Sequence, residues 1–398
     1  MQKGNLVILV FCQLISATGS IVMVTLGGII GSTLAGNLAL STLPISMTVV
    51  AVALTTVPAT ILMRKIGRSR GFALASTSAA VALLLASVAL SRSSFSLFVM
   101  AAMLFGVNMA FTQQYRYAAA ESVPARYVPR AVSLVLLGSI GGALLGPVLV
   151  IRGQFLIENV TYAGSLVVVA TLYVLQGMLL LRLRGISPQT STTSVPTSRK
   201  LPDIVLQPTY IVAVLGGTVG YGLMTLVMTA TPLSMHVIGD FSLQQTSGVI
   251  SAHVLSMYLP SLVSGFLIER FGVSRLMFAG ALILLVTSIV GLQGQTLMHY
   301  WWALVMLGVG WNFLYVGGTT MLTYTYSMEE RFRAQAVNEF LVFGISAIAS
   351  LLAGTVMHYF GWFKLMLIPI PILILICLAL LFVRRDPLLR RDEQTAEA

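Results

Sequence analysis

The sequence predicts an all-α membrane protein of twelve transmembrane helices in two six-helix pseudo-repeats. Three observations carry that prediction. The first is composition: 398 residues that are 57% hydrophobic and 9% charged leave too little polar surface for a soluble domain. The second is a succession of apolar runs, each long enough to cross a hydrocarbon core of roughly 30 Å as helix. The third is a repeat at a fixed offset of 205 positions, which lays Leu62 on Leu267, Lys65 on Arg270, Gly67 on Gly272, Ser69 on Ser274 and Arg70 on Arg275. The same offset places Ser122 on Ser327 and Ala131 on Ala336, so the duplication extends beyond one loop. A duplicated half in a membrane chain is the sequence mark of transporter folds built from two similar bundles.

In chain order the predicted spans are 6–30, 38–62, 71–91, 95–119, 131–151 and 161–183, then 208–231, 246–268, 274–293, 299–323, 337–358 and 365–383. They imply an N-terminal bundle over 1–184, a cytoplasmic linker over 185–207 rich in Ser, Thr and Pro, and a C-terminal bundle with a short tail over 208–398. Lys and Arg near span ends are retained on the cytoplasmic side. With the N-terminus inside, only Arg92, Arg152 and Lys364 of the 23 basic residues lie outside, so both termini are expected in the cytoplasm of a multi-pass inner-membrane protein. The net charge of +11 is thereby a topology signal, and no polar basic domain exists to present it to nucleic acid. Cys12 and Cys377 fall within the first and last spans and indicate neither a disulfide nor a metal site. The four histidines are scattered and no nucleophile elbow or phosphate-binding loop occurs, so neither enzyme chemistry, a cofactor nor direct use of ATP is expected.

The turn reading G-F-L-I-E-R-F-G-V-S-R from Gly265 to Arg275 resembles the signature loop of the major facilitator superfamily, with Gly265, Leu267, Glu269, Arg270 and Gly272 at the matching positions. The first copy keeps Leu62, Lys65, Gly67 and Arg68 but carries Thr60 for glycine and Arg64 for the acidic residue. The resemblance covers the whole chain and implies two bundles rocking about a central site. It also implies that the acidic residue of the loop latches two helices of a half together. Glu269 could do so with Arg331 at the start of the eleventh span, while Arg64 could pair with Glu121 in a latch of reversed sign.

In the resembled family the first, fourth, seventh and tenth spans line the cavity. Gln13, Asn108, Tyr221, Trp311, Asn312 and Tyr315 on those spans are the candidate substrate-binding residues, each of which could equally be packing against a neighbouring helix. No carboxylate is placed at mid-span, so a neutral or anionic organic molecule is favoured over a lipophilic cation. His253, and Glu339 at the start of the eleventh span, are the titratable candidates for proton coupling. Gly142 with Gly146-Pro147 partly matches the glycine-rich motif of antiporters in this superfamily, and close helix packing is the alternative reading. The sequence is therefore read as a monomeric secondary active transporter, with proton-coupled efflux preferred and uptake of a nutrient, vitamin or iron-chelating compound as the alternative. The strings G-W-N-F at Gly310 and N-E-F-L-V-F-G at Asn338 resemble a set of bacterial facilitators some of which are linked to riboflavin; no substrate is carried over from them.

Overall fold

A computed structural model of the chain describes residues 3–123, 128–158, 160–183, 199–327 and 330–383. Every regular element among them is helical. The first half comprises α1 (Lys3–Ala35), α2 (Leu43–Ile66), α3 (Arg68–Ser91), α4 (Phe95–Thr112), the short α5 (Tyr115–Glu121), α6 (Val128–Gly153) and α7 (Ala163–Leu180). The second comprises the short α8 (Leu201–Val205), α9 (Pro208–Pro232), α10 (Leu243–Tyr258), α11 (Ser261–Phe271), α12 (Val273–Gln293), α13 (Leu297–Thr323), α14 (Arg331–Leu367) and α15 (Pro369–Val383).

Ten of these stretches are long and apolar enough to cross a membrane, and α10 with α11 forms a further, bent crossing. The stretch from Arg333 to Val383 is 51 residues long, about 76 Å of helix at 1.5 Å per residue and far more than one crossing needs. It divides at Gly361, whose φ of 69° no helical residue adopts. Large apolar side chains such as Phe340 and Phe382 stand exposed along these helices, as lipid-facing positions require.

Two predicted spans are broken. The fourth ends at Thr112, whose hydroxyl donates back to the Asn108 carbonyl at 3.1 Å, and the chain turns at Gln113 and Gln114 before α5 begins. The eighth bends by 41° between α10 and α11, where Pro260 has no N–H to continue the helical ladder.

The repeat survives in backbone geometry. Gly67 joins α2 to α3 at φ 87°, ψ 156°, and Gly272 joins α11 to α12 at φ 85°, ψ 150°, a region essentially closed to residues with a Cβ. Just beyond each glycine a serine hydroxyl donates to a carbonyl of the last helix of its half, Ser69 to Leu180 at 2.8 Å and Ser274 to Leu380 at 3.4 Å.

Two compact units are defined by contact: Met1–Thr190 with Met228–Leu255 and Ser350–Tyr359, and Ser191–Val227 with Ser256–Ala349 and Phe360–Ala398. In the first, apolar side chains of α1, α3, α4 and α7 such as Leu26, Leu83, Phe105 and Leu166 form a buried core. The same unit holds a hydroxyl chain in which Thr229 and Ser350 approach at 3.1 Å, Ser350 Oγ donates to Ser46 Oγ at 3.1 Å, and Ser46 Oγ donates to the Ser350 carbonyl at 2.7 Å.

Candidate functional site

In the second unit α13 approaches α12 closely, because Gly280 and Gly310 have no side chains: a Cβ on either would meet the other's carbonyl oxygen at 3.0 Å. Trp311 and Tyr315 are four residues apart on α13, so they fall on one face. Their rings stack at 5.0 Å between centroids with an interplanar angle of 13°. Tyr221 of α9 stands edge-on to both, at 5.6 Å from Trp311 and 5.4 Å from Tyr315. Phe343 of α14 meets Tyr221 at 5.4 Å, and Tyr258 at the end of α10 meets Trp311 at 6.5 Å. Five rings from four helices thus form one cluster, each pair within the range in which edge-to-face and offset-stacked arrangements are favourable. Trp311 is buried, and its indole Nε1 has no hydrogen-bond acceptor. Tyr221, Tyr258 and Tyr315 are half-buried. Thr218, one turn before Tyr221 on α9, is buried with its hydroxyl unpartnered.

Asn312, next to Trp311 in sequence, bonds to a neighbouring span. Its Oδ1 accepts from Ser264 at 2.7 Å, and its Nδ2 donates to the Met257 carbonyl at 2.8 Å and to Ser261 Oγ at 2.6 Å. The amide sits across the α10–α11 bend and satisfies a carbonyl that the bend releases. We propose that Asn312 holds the bent span, the helix-packing reading that the sequence left open beside substrate contact. Asn312→Leu is expected to lower the thermal unfolding temperature of the purified protein, because it strands the Met257 carbonyl and the Ser261 hydroxyl at about 1–3 kcal/mol each. An unchanged melting curve would return Asn312 to the binding candidates.

The remaining candidates lie elsewhere. In the first unit Gln13 Nε2 donates to Ser139 Oγ of α6 at 2.9 Å, an α1–α6 packing bond. Asn108 is buried; its Oδ1 accepts from Thr112 at 3.4 Å and its Nδ2 has no partner. Beside it runs a network that single residues in the sequence did not reveal: Thr112 to Ser16 at 3.4 Å, Ser16 to Gln176 at 3.2 Å and Gln176 to the Tyr115 hydroxyl at 3.0 Å. His253 is fully buried in the first unit, whereas Glu339 is half-buried in the second. Gly142 and Gly146 of α6 face α1, where an added Cβ would lie 2.5 Å from Ala17 Cβ and 2.7 Å from Ile21 Cγ2 respectively. Pro147 follows within the same unbroken helix.

Of the latch residues, Gly265, Glu269, Arg270 and Gly272 are placed at the end of α11, with Glu269 and Arg270 exposed. The side chains of Arg64, Glu121 and Arg331 lie outside the described residues. A different ion pair is present. Arg199, where the described chain resumes after the linker, donates through Nε to Glu330 Oε1 at 3.0 Å and through Nη2 to Oε2 at 2.7 Å; its backbone N–H also reaches Oε1 at 2.9 Å. Arg199 Nη2 further holds the Thr325 carbonyl at 2.9 Å, and the Ser327 N–H donates to Glu330 at 3.0 Å. Arg199, then the Ser327 N–H, hold the Glu330 carboxyl down at about 2. Since the folded value lies below the ordinary one, the clamp contributes fully above the unfolded carboxylate range and fades as pH falls through about 4.5 towards 2. Glu330→Gln is accordingly expected to melt earlier than the parent protein at pH 7, with the difference narrowing to about half or less at pH 3. Equal melting at pH 7 would remove the clamp from the stability of the fold. No group of three or more His, Cys, Asp or Glu side chains among the described residues could hold a metal ion.

Comparison with known proteins places this geometry in a family. The chain is 35% identical over 380 residues to the riboflavin transporter RfnT of Brucella anthropi, covering 95% of each. It is 26% identical over 382 residues to the uncharacterized MFS-type transporter YddS of Bacillus subtilis, covering 90% of this chain and 86% of that one. Among solved structures, a bacterial homologue of the human lysosomal transporter Spinster, inward-facing and unoccupied, superposes with a TM-score of 0.74 at 13% identity over 98% of this chain and 97% of that one. The nucleoside transporter NupG gives 0.72 at 16% over 97% and 100%. These two likenesses carry the fold alone. The model of the Major Facilitator Superfamily matches residues 6–239 and 215–398. The chain is a multi-pass membrane protein and belongs to the major facilitator superfamily of transporters.

Proposed function

We propose that this transporter carries riboflavin, or a flavin with the same ring system, across the bacterial cytoplasmic membrane by alternating access between its two halves. The observation that carries the reading is the ring cluster of Tyr221, Trp311, Tyr315, Tyr258 and Phe343, with a buried indole N–H awaiting an acceptor. Isoalloxazine is a flat, uncharged tricycle with carbonyl oxygens on one edge. Aromatic walls match its faces, and an N–H donor matches its edge. An uncharged ring needs no fixed counter-charge within the membrane, in keeping with the sequence expectation of a neutral or anionic substrate. The 35% identity to a riboflavin transporter over nearly the full chain supports the same substrate class.

Inward transport is favoured over the efflux first expected. The efflux preference rested on Gly142, Gly146 and Pro147, and these glycines have a sufficient reason in their approach to α1. The vitamin alternative is the one that the relative supports. The inside-positive distribution of Lys and Arg supports cytoplasmic termini. His253 and Glu339 stay the candidates for proton coupling: a group that carries the proton loses gradient-driven accumulation as its Gln variant while keeping downhill exchange.

Flux into proteoliposomes tests the reading. Saturable riboflavin entry competed by unlabelled riboflavin is expected, and entry against a concentration difference when a pH gradient is imposed. Folded protein that exchanges no riboflavin across the vesicle wall would end the proposal.

A further inference from the structure

Trp311 carries more than a stacking surface. Its indole N–H is a donor with no acceptor role. It is buried within the second unit, 6% exposed, and lacks a partner. A buried donor left unmet is destabilising, and lipid offers nothing to meet it. The polar neighbour next in sequence cannot serve, since the carboxamide oxygen of Asn312 is already held by Ser264 and both its other bonds run to the α10–α11 bend. Tyr315 covers a face of the indole, stacked at 13°, so the edge bearing Nε1 is where a further group can be read. Tyr221 stands edge-on to the same indole at 5.6 Å between centroids.

Resting on the riboflavin reading above, we propose that Trp311 is the specificity-determining donor of this site, its Nε1–H hydrogen-bonding one of the two ring carbonyl oxygens of the flavin. A second buried hydroxyl without a partner, Thr218, lies on the same face of α9 as Tyr221, three residues away. The ring cluster thus tolerates any flat aromatic molecule, and the indole N–H selects those with an acceptor on the ring edge. Such selection is strong for its size, because a ligand lacking the acceptor leaves the buried donor unpaired in the complex as well.

Thio-substituted flavins isolate this bond, since sulfur in place of either carbonyl oxygen keeps the ring flat and is a much poorer acceptor. Binding of riboflavin, 2-thioriboflavin and 4-thioriboflavin to purified protein is measured by competition against riboflavin fluorescence, for the parent protein and for Trp311→Phe. The parent is expected to bind one of the two analogues about tenfold more weakly than riboflavin, the size of one net hydrogen bond. Trp311→Phe, which keeps a ring for the stack, is expected to bind riboflavin and that analogue equally. Trp311→Tyr, which also removes the indole N–H, serves if the phenylalanine variant does not purify as a folded species. Equal binding of riboflavin and both analogues by the parent overturns the proposal without recourse to any variant. So does a variant that retains the parent's preference, which would mean that the N–H rests on a tyrosine ring face. Parent protein that binds no flavin at all removes the substrate reading together with this one. Riboflavin binding with an unmoved preference removes this one only.

Discussion

Tyr221→Ala is expected to weaken riboflavin binding by about two orders of magnitude while the protein still purifies as a folded membrane protein. Tyr221 is the ring through which the cluster is joined, meeting Trp311 and Tyr315 of α13 and Phe343 of α14 from its place on α9. Each such pair is worth about 0.5–1.5 kcal/mol beyond the area it buries. Removing the ring deletes a wall for the ligand and also the edge contacts that hold Trp311 and Tyr315 in place. A loss of about 2.7 kcal/mol, the size of the stacking contact and buried area that the Tyr221 ring would give the flavin, corresponds to a factor of about 100 in Kd. Tyr221 is half-buried and the positions that follow it on α9, from Gly222 to Pro232, are all buried, so its truncation leaves most of the packing there intact. Tyr221→Phe keeps all three ring contacts and is expected to bind within a few-fold of the parent. Titration of flavin fluorescence with the three proteins decides it. Alanine and parent binding alike would mean that the cluster is core and that the substrate lies elsewhere.

The fold was legible because it is written in properties that need no tertiary knowledge. Apolar length, basic turns and the offset of 205 residues fixed the spans, and Gly67 and Gly272 share one unusual backbone conformation. What escaped was where a span breaks. Pro260 was visible within the eighth span, yet a membrane helix tolerates proline when something else meets the freed carbonyl, and that group, Asn312, lies 55 residues from the Met257 carbonyl it bonds. The break after Thr112 had no such punctuation.

The site divides along the same line. Trp311, Tyr315 and Tyr221 could be named because aromatic side chains in mid-span are conspicuous, and Phe343 stood in a string that had drawn notice. Asn312 is conspicuous as a carboxamide in mid-span, but its amide is bonded to residues of the neighbouring span. Polarity within a membrane marks a residue as important without saying whether its partner is ligand or helix. The Arg199–Glu330 clamp spans 131 residues and depends on the end of the linker folding back, so neither residue stood apart from the other loop charges.

Gly142→Leu is expected to abolish the folded protein, seen as loss of the monodisperse peak in size-exclusion chromatography of detergent extracts. The reason lies in how α6 meets α1. A Cβ at Gly138 would come 2.5 Å from the Val10 carbonyl oxygen, at Gly141 2.6 Å from Leu14 Cδ1, and at Gly146 2.7 Å from Ile21 Cγ2. At Gly142 the neighbours are Ala17 Cβ at 2.5 Å and the backbone nitrogen of Thr18 at 2.7 Å, which a rotamer change cannot move. Four positions therefore press one face of α6 onto α1 over about two turns, with Gly138 and Gly142 against its backbone. Where lipid tails are as apolar as side chains, such close packing is a main source of helix association. A leucine at the centre of that face would have to separate the helices along its length, beyond the 1–3 kcal/mol of an ordinary overpacked core. Gly142→Ala, which adds the Cβ alone, is expected to fold with a lowered melting temperature. The antiporter reading of the same glycines makes the opposite forecast, that direction or coupling of transport changes in a protein that folds normally. A folded Gly142→Leu with altered coupling would therefore restore efflux as the leading reading.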